Sequence, residues 1–148
     1  MSKLFFNSDG EPRIVEQQLK TKLFISKSSH EVKTPQLDTQ QTCVTIFVDP
    51  DFNAILPLNH RMVIPTGLTF DFAEGFIGTT YSIPSHITNQ GMYVVSQIVK
   101  SGEPVNLTVL NFGAQDRAIF CNMPIAQIVL SMAPRITRLV LDTHDPPH

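Results

Sequence analysis

The 148 residues include no tryptophan, only two cysteines and few charges, with Lys, Arg, Asp and Glu making up 16% of the chain. Each shortage closes off a class of function. With no Trp and a formal net charge of −2, the chain lacks the stacking platforms and the basic footprint of a nucleic-acid binder, so no nucleic-acid polymer is expected as a partner. Cys43 and Cys121 lie far apart and in no zinc spacing. Each sits in an apolar, strand-like run, and both are read as reduced core thiols. No apolar run reaches the ~20 residues of a membrane-spanning helix. The patch Leu4-Phe5-Phe6 is too short for a signal peptide. An intracellular protein with no membrane partner is the expectation. A charged fraction below the usual ~25% suits either a thick β core or surface hidden in an oligomer.

What the sequence does contain is mostly strand signal. The stretch 43–48 is dense in β-branched residues. Leu68-Thr69-Phe70-Asp71-Phe72 alternates with period two, which buries one face and wets the other. Strands are expected over 22–26, 43–48, 52–58, 61–65, 68–72, 76–83, 105–112, 117–121, 125–132 and 136–141. The longest is expected over 91–99. Asp49-Pro50-Asp51, Glu74-Gly75 and 100–104 read as turns. Residues 8–13 are turn-rich. Residues 14–22 are read as a short helix with Ile14, Val15 and Leu19 on its thin apolar side. Residues 28–41 and 84–91 are read as loops. Residues 1–41 then form a weakly structured N-terminal segment and 42–148 a single β domain. Short strands punctuated by 11 prolines argue an all-β jelly roll or barrel.

Several motifs resemble those of the trimeric dUTPases, in the same order. Asn111-Phe112-Gly113 and, after a short gap, Ile125-Ala126-Gln127 are similar to the family's late hairpin, although Asn122-Met123-Pro124 stands where Gly-Asp-Arg is usual. Pro65-Thr66-Gly67-Leu68 resembles its Thr-Gly-Ile opening, Glu74-Gly75-Phe76-Ile77-Gly78 its Pro-x-Gly-x-x-Gly turn, and Leu141-Asp142-Thr143 its late Asp-Thr. The likeness covers about two thirds of the chain. It implies a dUTPase-like β-clip or jelly-roll barrel that forms a homotrimer.

The reacting positions implied by that resemblance hold other residue types. Ile83-Pro84-Ser85-His86 stands where the family has Arg-Ser-x-Gly to grip phosphate. The stretch 95–102 stands where the family has a water-activating acid and a stacking tyrosine, yet it contains no Asp, Glu or Tyr. The acid position falls on Ile98 or Lys100, and neither offers a base near neutral pH. Phe47 takes the place of the first-motif Asp, with Asp49 and Asp51 close by. A glycine-rich closing arm should follow Thr143, but His144-Asp145-Pro146-Pro147-His148 cannot supply its flexible N–H donors. The pattern therefore also resembles the adenoviral early-region-4 proteins derived from dUTPase, in which the catalytic residues are lost.

No catalytic residue and no metal ligand is assigned. Asp49, Ser85 and Gln127 are the candidate remnants of a nucleotide site. Against each stands a plainer role: a turn for Asp49, a loop hydroxyl for Ser85, and a polar residue bonding backbone at a strand end for Gln127. His86 beside Ser85 lacks a third orienting group. A metal site from Asp142, His144, Asp145 and His148 competes with a polar tail. Phe70, Phe72 and Phe76 are read as core or subunit interface.

The resulting expectation is a pseudoenzyme: a viral interaction protein in the host cytoplasm or nucleus, homotrimeric, without cofactor, binding a host protein through 28–41 and 84–91. The alternatives are a nucleotide-binding or dUTP-hydrolysing protein with altered ligands, which would require Mg²⁺, and a structural β module such as a capsid or tail component.

Overall fold

The computed structural model describes residues 2–6, 12–16 and 20–142. In chain order the strands are β1 (Ser2–Phe6), β2 (Pro12–Glu16), β3 (Leu23–Lys27), β4 (Gln36–Leu37), β5 (Cys43–Phe47), β6 (Ala54–Leu56), β7 (Arg61–Phe72) and β8 (Phe76–Ser82). A helix, α1 (Pro84–Gln90), follows. Then come β9 (Met92–Val94), β10 (Ile98–Val99), β11 (Pro104–Asn111), β12 (Arg117–Ile119) and β13 (Pro124–Met132).

A four-stranded sheet, β3-β7-β11-β9, and a five-stranded sheet, β10-β8-β13-β5-β4, enclose one core. Period-two alternation drives this arrangement. On β7 the residues Ile64, Thr66, Leu68 and Phe70 are buried while their neighbours are not. Val105, Leu107 and Val109 do the same on β11, as do Val44 and Ile46 on β5. Burying an Ile, Leu or Phe side chain in this way contributes about 1.5–3 kcal/mol. The small β12-β6 pair closes one end of the core with Leu56 and Ile119. The expected all-β architecture is therefore present.

Several local expectations are corrected. Residues 14–16 are strand rather than helix, because the β-branched Ile14 and Val15 pair with Leu4 and Lys3 in the β1–β2 hairpin. Residues 20–22 are not helical either. Of the turn expected over 8–13, residues 12–13 belong to β2, while 8–11 and the helix over 17–19 lie outside the described residues.

The expected breaks at Pro65 and Gly67 instead fall inside one 12-residue strand. Residues 61–65 and, past a shift in register, Thr69 pair with β11, while residues 68–72 pair with β3 on the other side. Pro65 has no N–H to donate, the Thr66 hydroxyl donates to the Val105 carbonyl at 2.7 Å, and Gly67 takes φ +71. The strand thus bends and gains β3 as a second partner without leaving the buried Thr66 hydroxyl unpaired.

The expected long strand over 91–99 is divided between the two sheets. The buried Thr80 hydroxyl secures the crossover, donating to the Val95 carbonyl at 3.2 Å and accepting the Gln97 N–H at 3.0 Å. Where a loop is expected over 84–91, residues 84–90 form a helix capped by Gly91. Proline suits the first helical position, and Gly91 ends the helix at φ +67 with its N–H on the Ile87 carbonyl at 3.1 Å. Residues 136–141 form no strand and pair with none of the described strands.

Cys43 and Cys121 are both free and only half-buried, not core thiols. On β5, alternation places Val44 and Ile46 inward and leaves Cys43 on the outer side.

Candidate functional site

The ends of β5 and β8 and the start of β13 meet at one end of the five-stranded sheet. The register sets Phe47 opposite Pro124 and Ser82 opposite Ala126. Topology thereby brings the three candidates Asp49, Ser85 and Gln127 to the same end, although they are far apart in sequence.

Their local roles differ. One Asp49 carboxylate oxygen accepts the Asp51 N–H at 2.8 Å, and the Asp49 N–H donates to the Pro65 carbonyl at 3.0 Å. Asp49 is thus a turn residue fixed beside β7. A Cβ added at Gly67 would lie 3.1 Å from its other oxygen, 2.9 Å from Ser28 Oγ and 2.7 Å from Val32. The carboxylate therefore fills a crowded niche against the strand bend.

Ser85 is exposed on α1, and His86 is half-buried behind it. Burial lowers the His86 pKa from its ordinary value, favouring the neutral ring. Adjacent residues of a helix point in diverging directions, so Ser85 and His86 do not form a nucleophile–base pair. Gln127 lies within β13 rather than at its end, between Tyr81 of β8 and Thr45 of β5, on the outer side of the sheet.

Asn111, which sequence reasoning placed in the scaffold, is fully buried. Its amide donates to the Leu56 and Gln115 carbonyls, each at 3.0 Å, and accepts the Gly113 N–H at 3.0 Å. This one side chain ties β11, β6 and the following turn together. The turn presses on the C-terminus of α1: a Cβ at Gly91 would collide with the Gly113 backbone, and one at Gly113 with the Gln90 carbonyl. Sequence reasoning missed this glycine–glycine contact, since nothing local marks the approach of two distant backbones.

At 95–102, where the resemblance expects an acid, Ile98 is 60% exposed on β10 and residues 100–103 form a turn with Gly102 at φ +81. The Ser101 hydroxyl accepts the Phe72 N–H at 3.0 Å. Phe70 is buried and Phe72 stacks on it, with centroids 6.0 Å apart, as expected of core aromatics.

The segment 28–41, expected as a loop, contains β4, which pairs with β5, and is held at further points. The Ser28 N–H donates to the Gly67 carbonyl at 2.8 Å, Val32 is buried, and the Asp38 carboxylate accepts the Thr42 N–H at 2.6 Å and hydroxyl at 2.9 Å. The Cys43 backbone N–H is the leading cause that holds the Asp38 carboxyl below its ordinary pKa. Burial, with the Asp38 charge second, pushes the Cys43 thiol up.

An open groove of about 400 Å³ follows the β6–β12 pair, lined by Asn53, Ala54, Ile55, Ala118, Ile119 and Phe120. Asn53 already accepts the Cys121 N–H at 3.0 Å. The lining carries no charge, so the groove offers nothing to a polyphosphate. Among the described residues, no group of three or more His, Cys, Asp or Glu could hold a metal ion. Asp142 is exposed, and His144, Asp145 and His148 lie outside the described residues. No helix among them is long and apolar enough to cross a membrane.

No protein-family model matches the sequence, and no curated protein matches it. Solved structures do. The dUTPase of Staphylococcus bacteriophage 80alpha superposes with a TM-score of 0.72 at 14% identity, over 84% of this chain and 99% of that one. The dUTPase of S. aureus phage phi11 gives 0.71 at 13% identity, over 83% and 99%. The EIAV dUTPase gives 0.67 at 14% identity, over 84% and 100%. The chain has the dUTPase fold.

Proposed function

We propose that this chain is a non-enzymatic, dUTPase-derived interaction protein of viral origin, working as a homotrimer that binds a host protein in the cytoplasm or nucleus. The carrying observation is the 95–102 stretch: Ser96, Gln97, Ile98 and Lys100 occupy it, and no carboxylate is present to activate water. The uncharged groove beside the Asp49 turn supports the same reading. So does the apolar surface left over, with Ile136, Leu139, Val140 and Leu141 exposed at 76%, 87%, 78% and 84%. The host-binding surface comprises the 28–41 loop and α1, whose Ser85, Thr88 and Asn89 are exposed. A regulatory role on this fold has a parallel in the phage 80alpha dUTPase, which controls transfer of virulence genes by a proto-oncogenic G protein-like mechanism.

A dUTP hydrolysis assay run beside a molar-mass measurement tests the proposal. No pyrophosphate release from a discrete trimer is the expected outcome; turnover would sink it. A second reading, in which Asp49, Ser85 and Gln127 near one sheet end are remnants of a nucleotide site, is a nucleotide-binding protein that would require Mg²⁺. Calorimetry with dUTP, dUDP and dCTP, with and without Mg²⁺, separates the two readings.

A further inference from the structure

Charge is spread unevenly along this chain. Four of its six lysines, Lys20, Lys22, Lys27 and Lys33, fall within residues 20–33, against Glu31 alone, although the whole chain carries a net charge of −2. All four are exposed. The Lys27 ammonium donates to Thr34 Oγ1 at 3.3 Å, and that of Lys33 lies 4.1 Å from the Phe47 ring centroid, so neither meets a carboxylate.

These lysines bracket β3, an edge strand of the four-stranded sheet. Lys22 precedes it and Lys27 ends it, while Leu23-Phe24-Ile25-Ser26 between them is uncharged. The other edges of the two main sheets differ. β4 and β10 have two residues each, and on β9 Ser82 Oγ accepts the Val94 N–H at 2.8 Å. β3 keeps five residues in unbroken register with β7, from Leu23 opposite Phe72 to Lys27 opposite Leu68, and no described strand pairs with its other side. It has no proline, bulge or mid-strand charge of the kind that blunts an edge. Phe24 is 62% exposed on it, while Leu23 and Ile25 pack against the core and hold the strand in place.

An edge of this kind is completed by an extended chain that supplies main-chain hydrogen bonds. The charges select which chain. Lysines at both ends favour carboxylates at both ends of an incoming strand and oppose cations there. Phe24 favours an apolar side chain beside it. We propose that β3 is a docking edge for an extended acidic segment of a partner protein, in which carboxylates flank an apolar centre. The proposal rests on the partner-binding part of the reading above and names that partner's chemistry.

The probe is the peptide Asp-Glu-Val-Phe-Val-Glu-Asp, added to the full chain, with fluorescence polarisation reading binding and hydrogen exchange reading residues 23–27. The peptide should bind and slow exchange there. Binding should fall at least tenfold in high salt, with Lys in place of each acid, and with Pro at the centre, which lacks an N–H for the ladder. Lys22→Glu combined with Lys27→Glu should cause a similar loss; if that variant does not fold, the peptide series on the unaltered chain decides alone. Equal binding of the acidic and lysine peptides, or binding that leaves exchange in 23–27 unchanged, overturns the proposal. So does exchange in 23–27 that slows with protein concentration and no peptide, which would assign the edge to a second copy. No peptide binding by a chain that does not hydrolyse dUTP overturns the docking edge and leaves the reading above standing. Peptide binding by a chain that does hydrolyse it upholds the edge and sinks that reading.

Discussion

The two sheets share a core but show solvent different things. Inward, Leu107 of the four-stranded sheet and Ile128 of the five-stranded sheet are equally inaccessible at 0%. Outward, β7 of the first sheet presents Arg61 at one end and Asp71 at the other, with Asn106 on β11 between them. The second presents neutral side chains across its width. Pressure to bury apolar surface constrains both inner faces alike. The outer faces are held to no shared pattern, and each exposes large apolar side chains, Phe24 and Val63 on the first and Ile98 and Tyr81 on the second.

The largest expected effects test the shared half of that comparison. Leu107→Ala and Ile128→Ala should each destabilise by about 2–5 kcal/mol in denaturant unfolding. A loss confined to one of them would show that the sheets do not form a common core. Gly113→Ala, at the contact with α1, should cost about 1–3 kcal/mol by overpacking, with the change in thermal midpoint as readout. Thr80→Val removes the hydroxyl that secures the crossover between sheets and strands the Gln97 N–H, for about 1–3 kcal/mol.

A smaller effect concerns pH. Burial places the His86 pKa below its ordinary 6.5, so the unfolded chain takes up the proton first as pH falls. This contribution to stability is complete above 6.5 and is lost as pH falls through that value toward the folded pKa. Unfolding curves from pH 8 to pH 5 should show the loss, and His86→Gln should remove it. Smallest of all is Thr108→Lys on the outer face of the four-stranded sheet, which should shift stability by no more than about 0.5 kcal/mol. A larger change would mean that this face is covered.

Much of the fold was legible because its cause is local. Alternation in 43–48 and 68–72 needed only a buried side and a wet side, and Asp49-Pro50-Asp51 forms the turn its side chains favour. The failures share a different cause. Whether Pro65-Thr66-Gly67 ends a strand or bends it depends on Val105, which is distant in sequence and accepts the Thr66 hydroxyl. Whether 91–99 is one strand or two depends on Thr80. Residues 136–141 have the composition of a strand, yet none of the described strands pairs with them.

The candidate site was less legible. The residue types at Ile98, Lys100 and Ser85 could be read directly, and with the resemblance they argued against dUTPase chemistry. The convergence of Asp49, Ser85 and Gln127, the confinement of the Asp49 carboxylate at Gly67 and the outward direction of Gln127 required the register of three strands. By itself the sequence determined the β architecture, its approximate turns and the absence of an acid from 95–102, because alternation, turn preference and side-chain chemistry belong to a residue and its immediate neighbours. The tertiary structure decided which strands share a sheet, where β7 bends and which face lacks charge, because those depend on hydrogen bonds and packing between residues that the chain itself keeps far apart.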